Sequence, residues 1–345
     1  MKDIKFGFCI PIFANPGMLS FRTPGYKKLD WESIKKTVLL AEKMGYDSVF
    51  VADHLFLGTD GAIWECFSTM SALAAITKKM KVIPIHLCNN FRVPSVTAKA
   101  IATISHISDG RIELFYDYGW RKAEFDSYGI DFGKDDEARI EQMAEGIEII
   151  KGLLEKNKFT FSGKYYKIKD AICTPKPINE IPVWMGEANN EKMVENIVRF
   201  ADVFNSMPCS IEAFEEKLDI IKKECKKQGR DFSELDISLE TQVLIRGKNE
   251  EIETEIDKFA DFIKYNNSHD EDILAQLRAV NPKLEDYNSK DSLNKEFMIG
   301  TADEIRKKID SFIEKGVSHF MLWFMDYPDT KGLELFSEKV FPYYK

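Results

Sequence analysis

Apolar and polar positions follow two recurring patterns along the chain. Short apolar runs bounded by glycine, proline or charged residues predict buried strands, and apolar positions three or four residues apart predict amphipathic helices. The first helix is predicted to begin after Asp30 and to end at Gly45, two residue types that favour helix ends. Strands are predicted over residues 4–10, 47–52, 81–88, 111–116, 182–186, 202–204, 236–245 and 318–324.

Further helices are predicted between these strands, over residues 64–79, 94–108, 135–156, from 190 onwards, 210–228, and after the capping-box sequence at Thr301. Eight strands that are each followed by a helix predict an α/β fold, the closed parallel (β/α)8 TIM barrel, because parallel strands need crossover connections of this kind. An open doubly wound sheet is the main alternative. That fold would place a Gly-x-Gly-x-x-Gly motif after the first strand, and the sequence has none there, so the barrel is favoured.

A single domain is predicted over residues 1–345, because no linker-like stretch divides the chain. Two segments interrupt the alternation of strands and helices. Residues 157–180 form an excursion with hairpin-like patterns, and residues 248–296 are highly charged and predicted to be helical in pieces. Both are interpreted as insertions at the face of the barrel that carries the carboxyl ends of the strands.

Composition and charge narrow the class of protein. The chain is 44% hydrophobic and 30% charged with a net charge of −9, which is typical of a globular protein without the basic face of a nucleic-acid binder. No apolar run approaches the ~18 residues of a membrane span, and no signal-peptide core is present. Six cysteines without a Cys-x-x-Cys pair indicate reduced thiols and a cytoplasmic location. The five histidines lack metal-ligand spacing, so no metal is predicted.

Candidate chemistry is expected at the carboxyl ends of the strands, where barrel enzymes place their sites. His54 ends the second strand and suits proton exchange with a bound ring, although the position of a lone histidine by itself favours a hydrogen bond to a loop carbonyl. Asp53 beside it is expected to hold the imidazole in one tautomer or to favour its charged form. His86 lies inside the third strand and is interpreted as a structural residue or a pocket wall.

Aromatic and glycine-containing segments suggest a site for a flat cofactor with a phosphate. Flat apolar walls suit a planar ring, and aromatic residues lie on or just after the barrel strands at Tyr116, Tyr118, Trp120, Trp184 and Trp323. Large aromatics also fill barrel interiors, which is the favoured interpretation of Trp184. The segment 186–190 leads into a helix whose free N–H groups suit a phosphate, and Glu187 would repel an anion there unless it points away.

Several sequence pieces occur together in a specific order, at residues 71–77, 91–94, 98–99, 107–114, 119–120, 161–166, 175–186 and 297–301. In this order and spacing they resemble the luciferase-like flavin and deazaflavin oxidoreductases, over nearly the whole chain. The resemblance implies a barrel with an insertion near its carboxyl end, a homodimer, and a planar redox cofactor in the barrel mouth. It is greatest to the members that use the deazaflavin coenzyme F-420, whereas close relatives use reduced FMN and dioxygen as monooxygenases.

The resemblance also implies roles for individual residues. His54 would donate or accept a proton, Trp120 and Asn89 would shape the substrate side, and Glu124 would be a second acid or a helix cap. A bulge within residues 84–88, which in the family sometimes carries a non-proline cis peptide, would support the cofactor ring, and the loop 186–189 would contact its phosphate. The implied cofactor-binding residues are Asp53, His86, Cys88, Asn89, Tyr118, Gly119, Gly186, Glu187, Ala188 and Asn189.

Two positions depart from the family pattern. The usual Leu-Gly-x-Gly-x-Gly run is Leu114-Phe115-Tyr116-Asp117-Tyr118-Gly119, and the second glycine after the fifth strand is Glu187. Both changes narrow the cofactor mouth. The sequence therefore predicts an oxidoreductase that transfers hydride or activates dioxygen on a small organic substrate, with reduced coenzyme F-420 or reduced FMN. The alternative is a catalytically altered flavin-binding or structural protein of the same fold.

Overall fold

The computed structural model describes residues 3–12, 29–57, 61–258 and 289–345. Its strands are β1 (Lys5–Ile10), β2 (Ser48–Ala52), β3 (Lys81–Ile85), β4 (Leu87–Cys88), β5 (Leu114–Asp117), β6 (Phe159–Ser162), β7 (Lys167–Ala171), β8 (Val183–Met185), β9 (Val203–Ser206), β10 (Asp236–Ile245), β11 (Met298–Gly300) and β12 (Val317–Phe324). Its helices are α1 (Trp31–Met44), α2 (Cys66–Ile76), α3 (Pro94–Ile107), α4 (Lys122–Tyr128), α5 (Asp136–Glu155), α6 (Glu191–Phe200), α7 (Ile211–Gln228), α8 (Lys290–Asn294), α9 (Ala302–Glu314) and α10 (Lys331–Lys339). Residues 249–258 are also helical.

The main sheet is a parallel barrel. Its strands follow the order β3-β2-β1-β12-β10-β9-β8-β5-β4, and every neighbouring pair is parallel. β3 and β4 are two parts of one barrel strand interrupted at His86, and the ring closes through a bridge between Val82 and Ile112. These strands therefore make up the eight of the predicted (β/α)8 barrel, which is confirmed.

Local sequence signals account for most element boundaries. Asp30 caps α1 by accepting the backbone N–H of Ser33 at 2.8 Å, and Gly45 ends the helix in the left-handed conformation with φ 92°. The predicted capping box at Thr301 is present before α9. Three short elements have no predicted range: α4, β11 and α10. β11 pairs in parallel with the end of β10.

The two interruptions are described in part. β6 and β7 pair as an antiparallel hairpin within residues 157–180. In the charged segment, residues 249–258 and α8 are helical, whereas residues 259–288 lie outside the described residues. None of the described helices is both long enough and apolar enough to cross a membrane.

The barrel interior is aromatic near its base. Trp184 is 1% exposed, and its ring lies 5.7 Å from that of Phe50 and 5.0 Å from that of His319. Its indole N–H donates to Glu113 at 2.8 Å. Trp184 thus fills the barrel, as predicted, and the functional groups must lie nearer the carboxyl ends of the strands.

Candidate active site

His54 and Glu124 form a hydrogen-bonded pair at the end of β2. Nδ1 of His54 lies 2.8 Å from Oε2 of Glu124, which comes from the first turn of α4. Oε1 of the same carboxylate accepts the backbone N–H groups of Leu55 and Phe56 at 2.6 and 3.1 Å. The expectation that Asp53 orients His54 is therefore wrong, because the carboxylate on the imidazole is that of Glu124. Glu124 caps the loop after β2 rather than its own helix.

The environment of this pair sets its protonation. Burial opposes ionisation of Glu124, but the hydrogen bonds from His54 and from the loop N–H groups lower its pKa below the ordinary value. A carboxylate only accepts hydrogen bonds, so Nδ1 of His54 carries the proton. Nε2 is the remaining ring nitrogen, and no described residue hydrogen-bonds to it. The half-exposed Trp120 lies edge-on to the imidazole, with 6.0 Å between ring centroids.

Asp53 binds Arg92 instead. The two side chains form a bidentate pair with both N–O distances at 2.8 Å, and Asp53 also accepts the backbone N–H of Cys88 at 2.9 Å. The Arg92 guanidinium reaches Glu65 at 2.7 Å and lies 4.7 Å from the ring centroid of Phe67. Asp53 is 3% exposed, so its carboxylate positions β4 against β2.

His86 bridges two carboxylates across the barrel. The Ile85–His86 peptide is cis, within the predicted 84–88 bulge. Nδ1 of His86 lies 3.0 Å from Asp117, and Nε2 lies 3.7 Å from Oε2 of Glu240 on β10. Burial lowers the pKa of His86, but the interactions with Asp117 and Glu240 outweigh it and raise the pKa to about 9. His86 is therefore a charged residue at neutral pH, and it forms the floor of the barrel mouth.

This charge predicts a pH-dependent stability. The pKa of about 9 lies above the ordinary 6.5, so the stabilisation is fully present below pH 6.5 and is lost as the pH rises through 9. We expect wild type to lose roughly 3 kcal/mol more free energy of unfolding than His86→Gln over that range. Urea unfolding at several pH values measures the difference.

His319 provides a matched control. It is also buried, but its pKa is lowered to about 3, mainly by burial, so it titrates below this window. His319→Gln is expected to keep the wild-type pH dependence between pH 6.5 and 9, the range set by His86. Parallel curves for wild type and His86→Gln would show that His86 is not charged in the folded protein.

The loop after β8 holds an internal ion pair. Glu187 accepts the backbone N–H of Met207 and lies 2.8 Å from Nζ of Lys217, which also donates to Ser206 at 3.0 Å. Its carboxylate therefore points towards β9 and its following loop. Ala188 is buried, and Asn189 is exposed.

The ends of this loop are closely packed. A Cβ at Gly186 would lie 2.5 Å from the carbonyl oxygen of Asn205, so only glycine fits there. Asn190 caps α6 by accepting the N–H groups of Lys192 and Met193 at 2.9 and 3.3 Å. The N–H groups expected to suit a phosphate are therefore partly occupied by the protein itself.

The remaining predicted residues lie around β4 and β5. Gly119 has φ 76° and packs against Cys88, whose Sγ lies 2.5 Å from where a Cβ would be. The Gly119 carbonyl accepts Nε of Arg139 at 3.1 Å, and the Arg139 guanidinium lies 5.7 Å from the ring centroid of Tyr118. Asn89 is buried and accepts the Tyr116 hydroxyl at 2.6 Å, so it ties β5 to the turn after β4.

Sequence reasoning missed Glu240 and Gln242. Both are buried in β10, and Glu240 accepts the indole N–H of Trp323 at 2.8 Å. A signal was present, because polar residues occupy every second position at Ser238, Glu240 and Gln242. This period matches one face of a strand, so these residues share the barrel interior.

Comparisons with known proteins agree with this architecture. The model of the luciferase-like monooxygenase family matches residues 4–319. Pyrimidine monooxygenase RutA of Agrobacterium fabrum is 27% identical, over 99% of this chain and 96% of its own length. The FMNH2-dependent dimethylsulfone monooxygenase of Pseudomonas fluorescens is 23% identical, over 99% and 94%.

Solved structures share the fold. An F-420-dependent secondary alcohol dehydrogenase superposes with a TM-score of 0.78 at 20% identity, over 100% of both chains. The tetrahydromethanopterin reductase of Methanopyrus kandleri, also dependent on coenzyme F-420, gives 0.77 at 22%, over 99% of this chain and 100% of its own. The resemblance found in the sequence is confirmed, and the chain belongs to the luciferase-like monooxygenase family.

Proposed function

We propose that the chain is an oxidoreductase that uses reduced FMN or reduced coenzyme F-420 on a small organic substrate, with His54 as its proton-exchanging residue. The observation that carries this proposal is the His54–Glu124 pair. The buried carboxylate fixes the proton on Nδ1 of His54, which leaves Nε2 to accept or return a proton at the barrel mouth. Relatives that are named as FMNH2-dependent and pyrimidine monooxygenases support the reaction class.

The residues at the mouth fit a flat polar ring. The buried amide of Gln242 on β10 has no hydrogen-bond partner among the described residues, and Glu240 on the same strand reaches His86 at 3.7 Å. Tyr118 and Trp120 would form the walls, and Cys88, Gly119 and Asn89 would shape the edge. When bound, the reduced flavin or deazaflavin supplies the hydride, or the electrons that activate dioxygen. The protein positions the ring and moves the proton at Nε2 of His54.

The phosphate end of such a cofactor would meet Glu187. FMN and riboflavin differ only by the phosphate, so their relative affinities report on this position. Glu187→Gln removes the charge that Lys217 now pairs with, and it leaves Lys217 for the phosphate. We expect the ratio of FMN affinity to riboflavin affinity to be about tenfold higher in this variant than in wild type. Flavin fluorescence quenching measures both affinities.

Glu191→Gln is the matched control, because Glu191 is exposed in the first turn of α6 and its replacement changes the net charge equally. Its FMN-to-riboflavin ratio should equal that of wild type. An unchanged ratio in Glu187→Gln would place the phosphate elsewhere. No binding of FMN, riboflavin or coenzyme F-420 by wild type would contradict the proposed function and favour a structural protein of the same fold.

A homodimer is part of the proposal. Exposed apolar side chains form one patch on α3 and the neighbouring 172–178 segment, defined by Val93, Val96, Ile107, Ile172 and Ile178. Ile178 lies beside α3, because its N–H donates to Ser105 at 3.0 Å. Exposed apolar patches of this kind are typical of protein interfaces. The six cysteines, all buried and none in a disulfide, support a reducing compartment, which we propose is the cytoplasm.

Light scattering tests the dimer. We expect a mass of about twice the 39.8 kDa of the chain at micromolar concentration. Val96→Glu, which places a charge in the patch, should yield the monomer mass without loss of helical content. A monomer mass for wild type would contradict the proposal.

A further inference from the structure

Gln242 is a buried amide without a partner. It is 0% exposed in the middle of β10, and neither Oε1 nor Nε2 has a hydrogen-bond partner among the described residues. Buried polar side chains are almost always paired, so an unpaired amide indicates a group that the protein alone does not supply. The neighbouring residues Thr241 and Val243 point to the other side of the strand, so their side chains do not supply hydrogen bonds to the Gln242 amide.

The position of Gln242 in the barrel follows from its neighbours. Ser238, Glu240 and Gln242 share one face of β10, and Glu240 reaches Nε2 of His86 at 3.7 Å. Trp323 pairs with Gln242 in register and donates to Glu240, so its indole faces the same interior. Gln242 lies two residues closer to the carboxyl end than Glu240, about 7 Å along the strand. It is therefore above the His86–Glu240 contact, on the side of the mouth.

Other unpaired polar atoms lie in the same interior. In the described part of the chain, five buried side-chain polar atoms lack a hydrogen-bond partner. Three of them belong to Gln242 and Asn205, and a fourth, Nε2 of His86, has only the 3.7 Å contact with Glu240. Asn205 faces the interior, because its Oδ1 accepts the hydroxyl of Ser238. Their concentration at one place points to a ligand rather than to an isolated packing defect.

We propose that Gln242 binds the amide edge of a flat heterocycle in the barrel mouth. Its side chain presents one acceptor and one donor next to each other, and the complementary group is a ring C=O beside a ring N–H. The pyrimidine ring of flavins and deazaflavins carries this edge, and so does a cyclic-amide substrate. The inference rests on the proposed function, because it requires the mouth to take a flat ring.

A ligand pair and a protein pair test the contact together. Lumiflavin carries the ring N–H, and 3-methyllumiflavin has lost it. We expect wild type to bind lumiflavin about 10- to 100-fold more tightly than the methylated ring, and Gln242→Leu to bind both alike with the weaker affinity. Fluorescence quenching gives the four dissociation constants.

Stability measurements separate this contact from a structural role. Gln242→Leu replaces an unpaired amide by an apolar group of similar size, so its ligand-free melting temperature should equal or exceed that of wild type. Gln242→Met is a second variant in case leucine packs poorly. Ser238→Ala is the control, because its hydroxyl is already paired with Asn205; it should keep the wild-type preference for lumiflavin.

Uracil, a free cyclic amide, shows whether Gln242 binds the amide edge of the cofactor ring or that of a substrate. If the edge is that of a substrate, lumiflavin affinity is unchanged in Gln242→Leu, but uracil binds FMN-loaded wild type and not the FMN-loaded variant. The inference is overturned if neither lumiflavin nor uracil distinguishes the variant from wild type, which would mean that buried water pairs with Gln242. It is also overturned if both variants lose stability. If wild type binds neither a flavin nor coenzyme F-420, the proposed function fails, whereas uracil binding by the cofactor-free protein still tests Gln242.

Discussion

His54→Asn is expected to lower turnover by about 10²- to 10⁴-fold while the melting temperature stays close to that of wild type. The asparagine amide can still donate to Oε2 of Glu124, which His54 holds at 2.8 Å, so the buried carboxylate keeps a partner. It cannot exchange a proton near neutral pH, and that is the function we propose for Nε2. Turnover is measured with reduced FMN and dioxygen on uracil and dimethylsulfone, and with reduced coenzyme F-420 on acetone.

Glu124→Gln tests whether turnover depends on the tautomer of His54. Oε1 of Glu124 accepts two backbone N–H groups, so the glutamine oxygen must stay there and its NH2 must face Nδ1 of His54. His54 is then forced to carry its proton on Nε2. We expect Glu124→Gln to lose most of its turnover whichever way the proton moves. Nε2 then has no lone pair to act as a base, and the imidazolium that would act as an acid loses the carboxylate that stabilises it.

The opposite pattern identifies a structural histidine. If His54→Asn reacts at the wild-type rate, His54 is only a wall of the mouth. A large loss of stability with unchanged turnover per folded molecule leads to the same conclusion. Trp120, whose ring lies 6.0 Å from the imidazole, is then the next residue to replace.

Periodic patterns explain why the barrel was predictable. A buried strand or an amphipathic helix is encoded within a few consecutive residues, and the order of such elements leaves few parallel topologies. The missed elements are short, which leaves little room for a period: β11 has 3 residues, α4 has 7 and α10 has 9. Barrel enzymes place their sites at the carboxyl ends of the strands, and this alone identified His54 as a candidate without knowledge of its contacts.

Side-chain partners were less predictable, because they depend on contacts between distant segments. Glu124 is 70 residues from His54, whereas Asp53 is its direct neighbour, and the sequence favoured the neighbour. Adjacent residues of a strand end point to opposite sides, which separates Asp53 from the imidazole. In β10 the alternation of the polar residues Glu240 and Gln242 is visible in the sequence. Barrel strands are usually apolar on both faces, so this alternation did not suggest polar residues in the barrel interior.

Arg92→Met is expected to lower the free energy of unfolding by about 3–5 kcal/mol. The loss comes from Asp53, which is 3% exposed and would stay buried without the bidentate partner that now lies at 2.8 Å. Methionine keeps much of the apolar contact that Arg92 makes with Phe67. Urea unfolding monitored by tryptophan fluorescence measures the change.

Two further variants decide whether the unpaired charge is the cause. Asp53→Asn combined with Arg92→Met removes both charges, and the new amide oxygen would still accept the N–H of Cys88, so the double variant should be more stable than Arg92→Met alone. Arg199→Met breaks an exposed pair with Glu148 and should cost at most about 1 kcal/mol. If Arg92→Met costs no more than Arg199→Met, Asp53 does not depend on Arg92. If the double variant is as unstable as the single one, the loss comes from packing around Phe67 and Glu65 rather than from the buried carboxylate, since the carboxylate is absent from the double variant.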